Sequence, residues 1–446
     1  MTQTRRQAVR RLMTWLLFGP LAAACGAGGG QTKEVPNGPA QLKAGSTLVW
    51  MNGQTGNYPA LMQRWADAFE QRTGVKVQVN AGIQDYDTNI QAAFAAGSPP
   101  DIFRYSPDSP SLITAVERNM LLKLDPFVKR DKYDLSDFRK EAIELYRWKG
   151  ALYALPRDYG LQLIFYNTDL FAKEGLPPIP GDWNDKTWTF AKFLDACQRL
   201  TRTGERYALF LPRGGRLRYS WIYSNGGVVV KANKDGMATE LGLAEKPATE
   251  ALQFMQDLIY KHKVAPAPQE EATLGTNQLQ LMQQGKLAMQ IANPGQNNQY
   301  RPSGMPYDVG VFPLGPSGTR RGVGGGGTGW AITGPTKLPE EAWALISMIS
   351  SRDGELDEVK IGQTTPSRTS VATSKEYLDP TQPPKNAKAF ADGQEFVVRD
   401  PLHPKWADVE RDVVDKTLND QLWTNQRPAA QVVAEIKEKG DPQLKS

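Results

Sequence analysis

Apolar and polar positions follow two rhythms along this chain. Ser46-Thr-Leu-Val-Trp50 is a short β-type run, and Val75-Lys-Val-Gln-Val79 alternates with a period of two. Between them, apolar residues at 61, 62, 65, 68 and 69 share one face of a helix over 60–72, which Thr73-Gly74 ends. A second helix over 86–96 leads to Pro99-Pro-Asp-Ile-Phe103. Strand, helix, strand, helix in succession predicts an α/β fold with a largely parallel sheet. The alternation returns with strands over 161–166, 207–211, 287–291, 307–313 and 329–333. Helices are expected over 188–200, 249–261 and 339–350, and the tail with Trp406 and Trp423 reads as packed helix. No repeat with a period of 20–50 residues interrupts this order.

The first 24 residues break the pattern and read as an export signal. Arg5, Arg6, Arg10 and Arg11 form a positive start, and 12–24 is an apolar stretch too short to span a bilayer. Leu21-Ala-Ala-Ala-Cys25 resembles a bacterial lipobox, in which Cys25 would carry the lipid. An ordinary secretory cleavage site is the alternative, and Arg5-Arg6-Gln-Ala-Val also resembles a degenerate twin-arginine motif. Residues 25–45, rich in Gly, Pro, Gln and Lys, read as a flexible tether.

Composition narrows the chemistry. The 446 residues are 40% apolar and 23% charged, enough for large cores and for more than one lobe. Net charge is +5, and setting aside the four leader arginines leaves about +1, which argues against a nucleic-acid partner. Two Cys and two His exclude a disulfide scaffold and disfavour a zinc site, so no metal or cofactor is expected. Cys197 sits in a helical pattern as a small core residue. His262 and His403 have no nucleophile motif beside them. The acid pairs Glu270-Glu271 and Asp85/Asp87 flank helix starts, where they offset the dipole. The glycine run 322–329 lacks the Gly-Lys-Ser/Thr of a phosphate loop and precedes a strand.

Segments spread over the body carry a family resemblance. Ala95-Ala-Gly-Ser-Pro-Pro-Asp101, Lys149-Gly-Ala-Leu-Tyr-Ala-Leu-Pro156, Tyr166-Asn167-Thr-Asp-Leu-Phe and Lys186-Thr-Trp188 come first. Trp221-Ile-Tyr-Ser-Asn-Gly-Gly227, Gly285-Lys-Leu-Ala-Met289 and Pro366-Ser-Arg368 follow in the same order. Together they resemble the sugar-binding solute-binding proteins of ATP-binding-cassette importers, the group that includes the maltose-binding proteins. The resemblance implies a two-lobed periplasmic-binding-protein fold of type II, with parallel-dominated sheets flanked by helices and a hinge. It assigns 46–155 with 305–355 to the N-terminal lobe and 156–304 with 356–446 to the C-terminal lobe. One departure is Asn293-Pro-Gly-Gln296, where relatives often place an aromatic residue.

A sugar site needs aromatic faces for ring stacking and amides, carboxylates or guanidinium groups for hydroxyls. In open α/β sheets ligands sit beyond the carboxyl ends of strands. Those ends hold Gln54, Tyr105, Asp108, Arg157 to Tyr159, Asn293, Gln296 and Trp330. The expected ligand-binding set is Gln54, Tyr105, Asp108, Tyr159, Gln296 and Trp330, with Trp221, Asn225 and Arg368 added by the resemblance. Trp330 is expected to close the pocket, so Trp330→Ala should weaken binding and spare the fold. Trp50 and Trp65 read as core, Asn167 as holding a strand-to-helix turn, and Asp101 as bracing the next strand.

The expected function is capture without catalysis. A sugar, mono- or oligosaccharide, bridges the lobes of a monomer that is exported and lipid-anchored, and the closed form docks on a permease driven by a separate ATPase. The rivals are an importer protein for another solute, such as glycerol phosphate, a polyamine or a peptide, and a secreted carbohydrate-active enzyme. A cleft dominated by Arg or acids would favour the former, and two acids facing across the cleft the latter.

Overall fold

The computed structural model describes residues 41–107, 110–275, 277–362 and 365–445. The leader, Cys25, most of the tether and Asp108 lie outside the described residues. Two hydrophobic cores organise the rest, one for each lobe.

The first core is built on a five-stranded sheet in the order Lys76–Ala81, Thr47–Asn52, Ile102–Tyr105, Gly329–Ile332, Ala154–Pro156. Alternation along Thr47–Asn52 buries Leu48 and Trp50 while Thr47 stays exposed, as a half-buried strand requires. The following helix, Tyr58–Thr73, begins on Pro59 and ends on Gly74 at φ 70°, the left-handed C-cap that glycine adopts without strain. Leu61, Met62, Trp65 and Phe69 form its buried face.

The second core surrounds the sheet Tyr307–Gly310, Leu163–Asn167, Leu287–Ala292, Tyr207–Leu209. Asn167 caps the helix after its strand, accepting from the N–H groups of Asp169 and Leu170. Thr189 caps Phe190–Leu200, whose buried face includes Cys197.

The α/β architecture in two lobes is as expected, but the pairing is mixed rather than parallel-dominated. Gly329–Ile332 is antiparallel to both its neighbours, and Leu163–Asn167 to both of its own. The lobe boundary also moves. Residues 305–323 were expected with the first lobe, yet Tyr307–Gly310 pairs with Leu163–Asn167, and Val309, Val311, Phe312 and Val323 join the second core. An apolar strand needs a sheet edge, and that edge is in the second lobe. The chain returns only at 324–329.

The last crossing is shared. Helix Arg352–Lys360 meets the first lobe through Glu358 on Tyr58 and Asp357 on Trp65, while Leu356 belongs to the second core. No helix among the described residues is long and apolar enough to cross a membrane.

Candidate functional site

The crossings come together as a small sheet in which Val323–Gly326 lies between Gly160–Leu161 and Val397–Val398. The glycine run is explained by backbone pressed on backbone. A Cβ on Gly324 would sit 2.2 Å from the Arg216 carbonyl oxygen, and one on Gly325 2.6 Å from that of Gly160. On Gly327 it would sit 2.0 Å from the carbonyl oxygen of Asp158. A carbonyl held in a crossing cannot swing aside as a side chain can. Gly327→Ala is therefore expected to cost about 1–3 kcal/mol, the usual range for overpacking. Urea denaturation checks this, and an unchanged midpoint would mean that the crossing yields.

A cavity of about 620 Å³ opens over these crossings. The first lobe supplies the Gly53–Asn57 loop, where helix Tyr58–Thr73 begins, and Arg104. The second supplies Gln162, Arg216, the Asn293–Gly295 turn, Asn298 and Gln299. Asp158, Gly160, 325–328 and Thr365 make the floor. Six amide side chains, two guanidinium groups and one carboxylate line this space, and no aromatic side chain does among the described residues. A second cavity of about 540 Å³ shares Arg216, Gly325 and Gly326 with it. That space has apolar walls, Leu112 and Leu145 on one lobe and Val397 and Trp406 on the other.

Buried charge holds the floor in place. The Arg157 guanidinium, 1% exposed, donates to Tyr58 Oη at 2.8 Å and to Gln54 Oε1 at 2.9 Å. It pairs with Asp158 at 2.5 Å and with Glu358 at 2.8 Å. Tyr58 donates in turn to Glu358 at 2.7 Å. Asp158 also accepts from the Thr328 N–H at 2.6 Å and its hydroxyl at 3.0 Å, tying the first crossing to the second. Burial pushes the Glu358 carboxyl up to about 7 against the pull of Arg157. Burial likewise raises Glu355 to about 8, although the Ser367 hydroxyl and the Arg368 N–H both donate to it.

The structure brings one residue of the expected set into this lining, Gln54. Of the others, Asp108 lies outside the described residues, and the rest stand elsewhere than this lining. Trp330 is fully buried, edge-on to Trp50 at 5.1 Å, in the first core. Tyr105 is 2% exposed and packs edge-on to Phe103 and Tyr146, its hydroxyl donating to the Pro110 carbonyl. Trp221 is enclosed by Phe190, Phe193 and Phe312 in the second core. Asn225 is buried as a turn brace, donating to the Pro247 carbonyl and accepting from the Ser317 N–H. Tyr159 is buried at the first crossing, its N–H donating to the Thr365 carbonyl. Arg368 is spent on structure, donating to the Ser350 carbonyl, Asp137 and Tyr133 while stacking on Phe138. Gln296 lies in the same turn, 3.5 Å from the lining residue Gln299, but is not itself among the lining residues.

Asp158 and Asn293 are strand-end positions legible in the sequence, and both line the cavity. Arg104 carried a signal as well. Alternation in Ile102–Tyr105 places it on the face opposite Phe103 and Tyr105, at the strand's carboxyl end. Arg216, Gln162, Asn298 and Gln299 had no local signal.

Comparison with known proteins accords with this geometry. Residues 52–355 match the family model described as bacterial extracellular solute-binding protein. A binding protein of Brucella abortus is 27% identical over 234 residues, covering 50% of this chain and 53% of that protein. The galactooligosaccharide-binding protein of Bacillus subtilis is 25% identical over 297 residues, 65% of this chain and 64% of its own. The chain thus spans about half to two thirds of the length of these curated relatives. An ABC substrate-binding protein of Listeria monocytogenes, solved with cycloalternan, superposes with a TM-score of 0.78 at 21% identity, covering 90% of this chain and 99% of its own.

Proposed function

We propose that this chain, which belongs to the family of bacterial extracellular solute-binding proteins, captures a sugar in the interlobe cleft and delivers it to an ABC permease. The observation that carries this is the cavity itself, about 620 Å³, with amide and guanidinium groups from both lobes over a floor of chain crossings. Such groups match sugar hydroxyls, and contacts from both walls form together only when the lobes close. The second, more apolar cavity with Trp406 on its wall extends the cleft enough for a ligand of more than one ring. Relatives that bind galactooligosaccharide and cycloalternan support the same reading. In this reading Cys25 carries the lipid anchor and the protein works as a monomer.

Binding without turnover fits the charges. Asp158 is the one carboxylate among the described residues lining the first cavity, and Arg157 and Thr328 occupy it. Asp235 and Asp400 line the second cavity, Asp400 paired with Arg216; a glycosidase needs a pair of acids facing each other across the scissile bond.

A thermal-shift screen against mono- and oligosaccharides tests the proposal. A true ligand at 100 times its Kd adds about 2.7 kcal/mol of stability. Small-angle scattering should show the protein contracting with the same ligand. Release of hydrolysed product would overturn the proposal.

A further inference from the structure

We infer that the ligand carries an anionic group, a carboxylate or a phosphate ester, and that Arg104 is the residue that receives it. The inference rests on the reading of this cleft as a solute site. Arg104 lines the cavity and has no carboxylate partner among the described residues. Its guanidinium lies over the Tyr86 ring at 4.6 Å, and that ring is fixed because the Tyr86 hydroxyl donates to the Arg104 carbonyl at 2.9 Å. Arg104 Nε is buried and makes no hydrogen bond. A guanidinium over an aromatic face can still present its terminal N–H groups as a fork suited to a two-oxygen anion.

The surroundings have the same sign. Helix Tyr58–Thr73 brings its N-terminal end to the cavity with no acid in its first turn, and its cap residue Asn57 makes no side-chain capping bond. Sixteen residues long, it places a positive dipole end beside Arg104's lobe of the cleft. Arg216 faces it from the other lobe, already paired with Asp400. The one acid in the lining, Asp158, is offset by Arg157. Among its described lining residues the first cavity thus has one cation without a carboxylate partner, Arg104, and no aromatic face. That suits a hydroxylated anion better than a neutral ring.

Isothermal titration with matched probes tests this. D-Glucuronate, D-gluconate, D-glucose 6-phosphate and sn-glycerol 3-phosphate form the acidic set, with D-glucose, maltose and glycerol as neutral counterparts. At least one acid should bind about tenfold or more tighter than its neutral counterpart and weaken as salt rises. Arg104→Gln should lose that preference, and Arg104→Lys, which keeps the charge without the fork, should retain part of it. Binding of the carboxylates alone or of the phosphates alone identifies which anion the fork holds. Neutral sugars binding equally well to wild type and Arg104→Gln, with no acid preferred, would overturn the anion while leaving solute capture intact. No binding by the acidic set, with a neutral sugar from the thermal-shift screen binding tightly, would likewise overturn the anion; no ligand in either experiment would overturn both.

Discussion

Trp330→Ala is expected to destabilise the protein by about 3–5 kcal/mol, the range for removing a large buried aromatic side chain. Trp330 has no exposed surface and meets Trp50 edge-on at 5.1 Å, and Trp50 stacks on Trp65 at 6.2 Å. These three rings join the sheet to helix Tyr58–Thr73, so the cavity left behind would sit where the first lobe's layers meet. The molecules that remain folded should bind ligand much as before, because Trp330 is not among the residues lining either cavity of the cleft. Urea denaturation followed by the remaining tryptophans measures the loss. A change below about 1 kcal/mol would show that the site collapses around the smaller side chain.

The sequence alone points the other way for this residue, and the reason is topological. Ligands gather at the carboxyl ends of parallel strands, but Trp330 is the second residue of Gly329–Ile332 and reads as a ligand residue because it follows the glycine run. Gly329–Ile332 runs antiparallel to its neighbours, so its first residue, not its last, lies beside the end of Ile102–Tyr105. Gly329 pairs with Tyr105 at the cleft end, and Trp330 is already one step into the sheet. Strand direction depends on a partner distant in sequence, and periodicity does not encode it. The elements themselves were legible because their signals are local. The apolar stripe of Tyr58–Thr73, the Gly74 cap and the alternation of Thr47–Asn52 all act within a few residues. The lobe boundary was not, since Tyr307–Gly310 belongs wherever Leu163–Asn167 offers an edge.

The site shows a second limit. Aromatic residues were favoured because sugars stack on them, and this chain uses Tyr105, Trp221 and Trp330 to pack its cores. The first cavity's lining falls instead to amides and arginines, which are common everywhere in a sequence and carry no periodic mark. Arg104 is the exception. A lone arginine in an apolar strand of four residues needs a reason to be there, and the cavity supplies one.

Replacing Arg157 with Ala should have the other large effect, about 3–5 kcal/mol, because it strands Glu358 without its counter-charge in a buried site. Glu358 is 1% exposed, and its remaining donor is the Tyr58 hydroxyl. The sign of the pH dependence follows from burial. A carboxyl whose folded pKa is raised, here from 4.5 to about 7, gives stability that is full below its unfolded pKa and lost as pH rises through the folded one. Removing Arg157 takes away the strongest influence lowering that pKa, so the variant should hold Glu358 protonated to still higher pH. The deficit of Arg157→Ala relative to wild type should therefore be larger at pH 8 than at pH 5. Adding Glu358→Gln removes the charge that was stranded, and the double variant should recover part of the loss at pH 8. Denaturation midpoints at the two pH values read both effects. Equal deficits at both, with no recovery in the double variant, would mean that lost packing of the Arg157 guanidinium over the Tyr58 ring, at 4.7 Å, sets the cost.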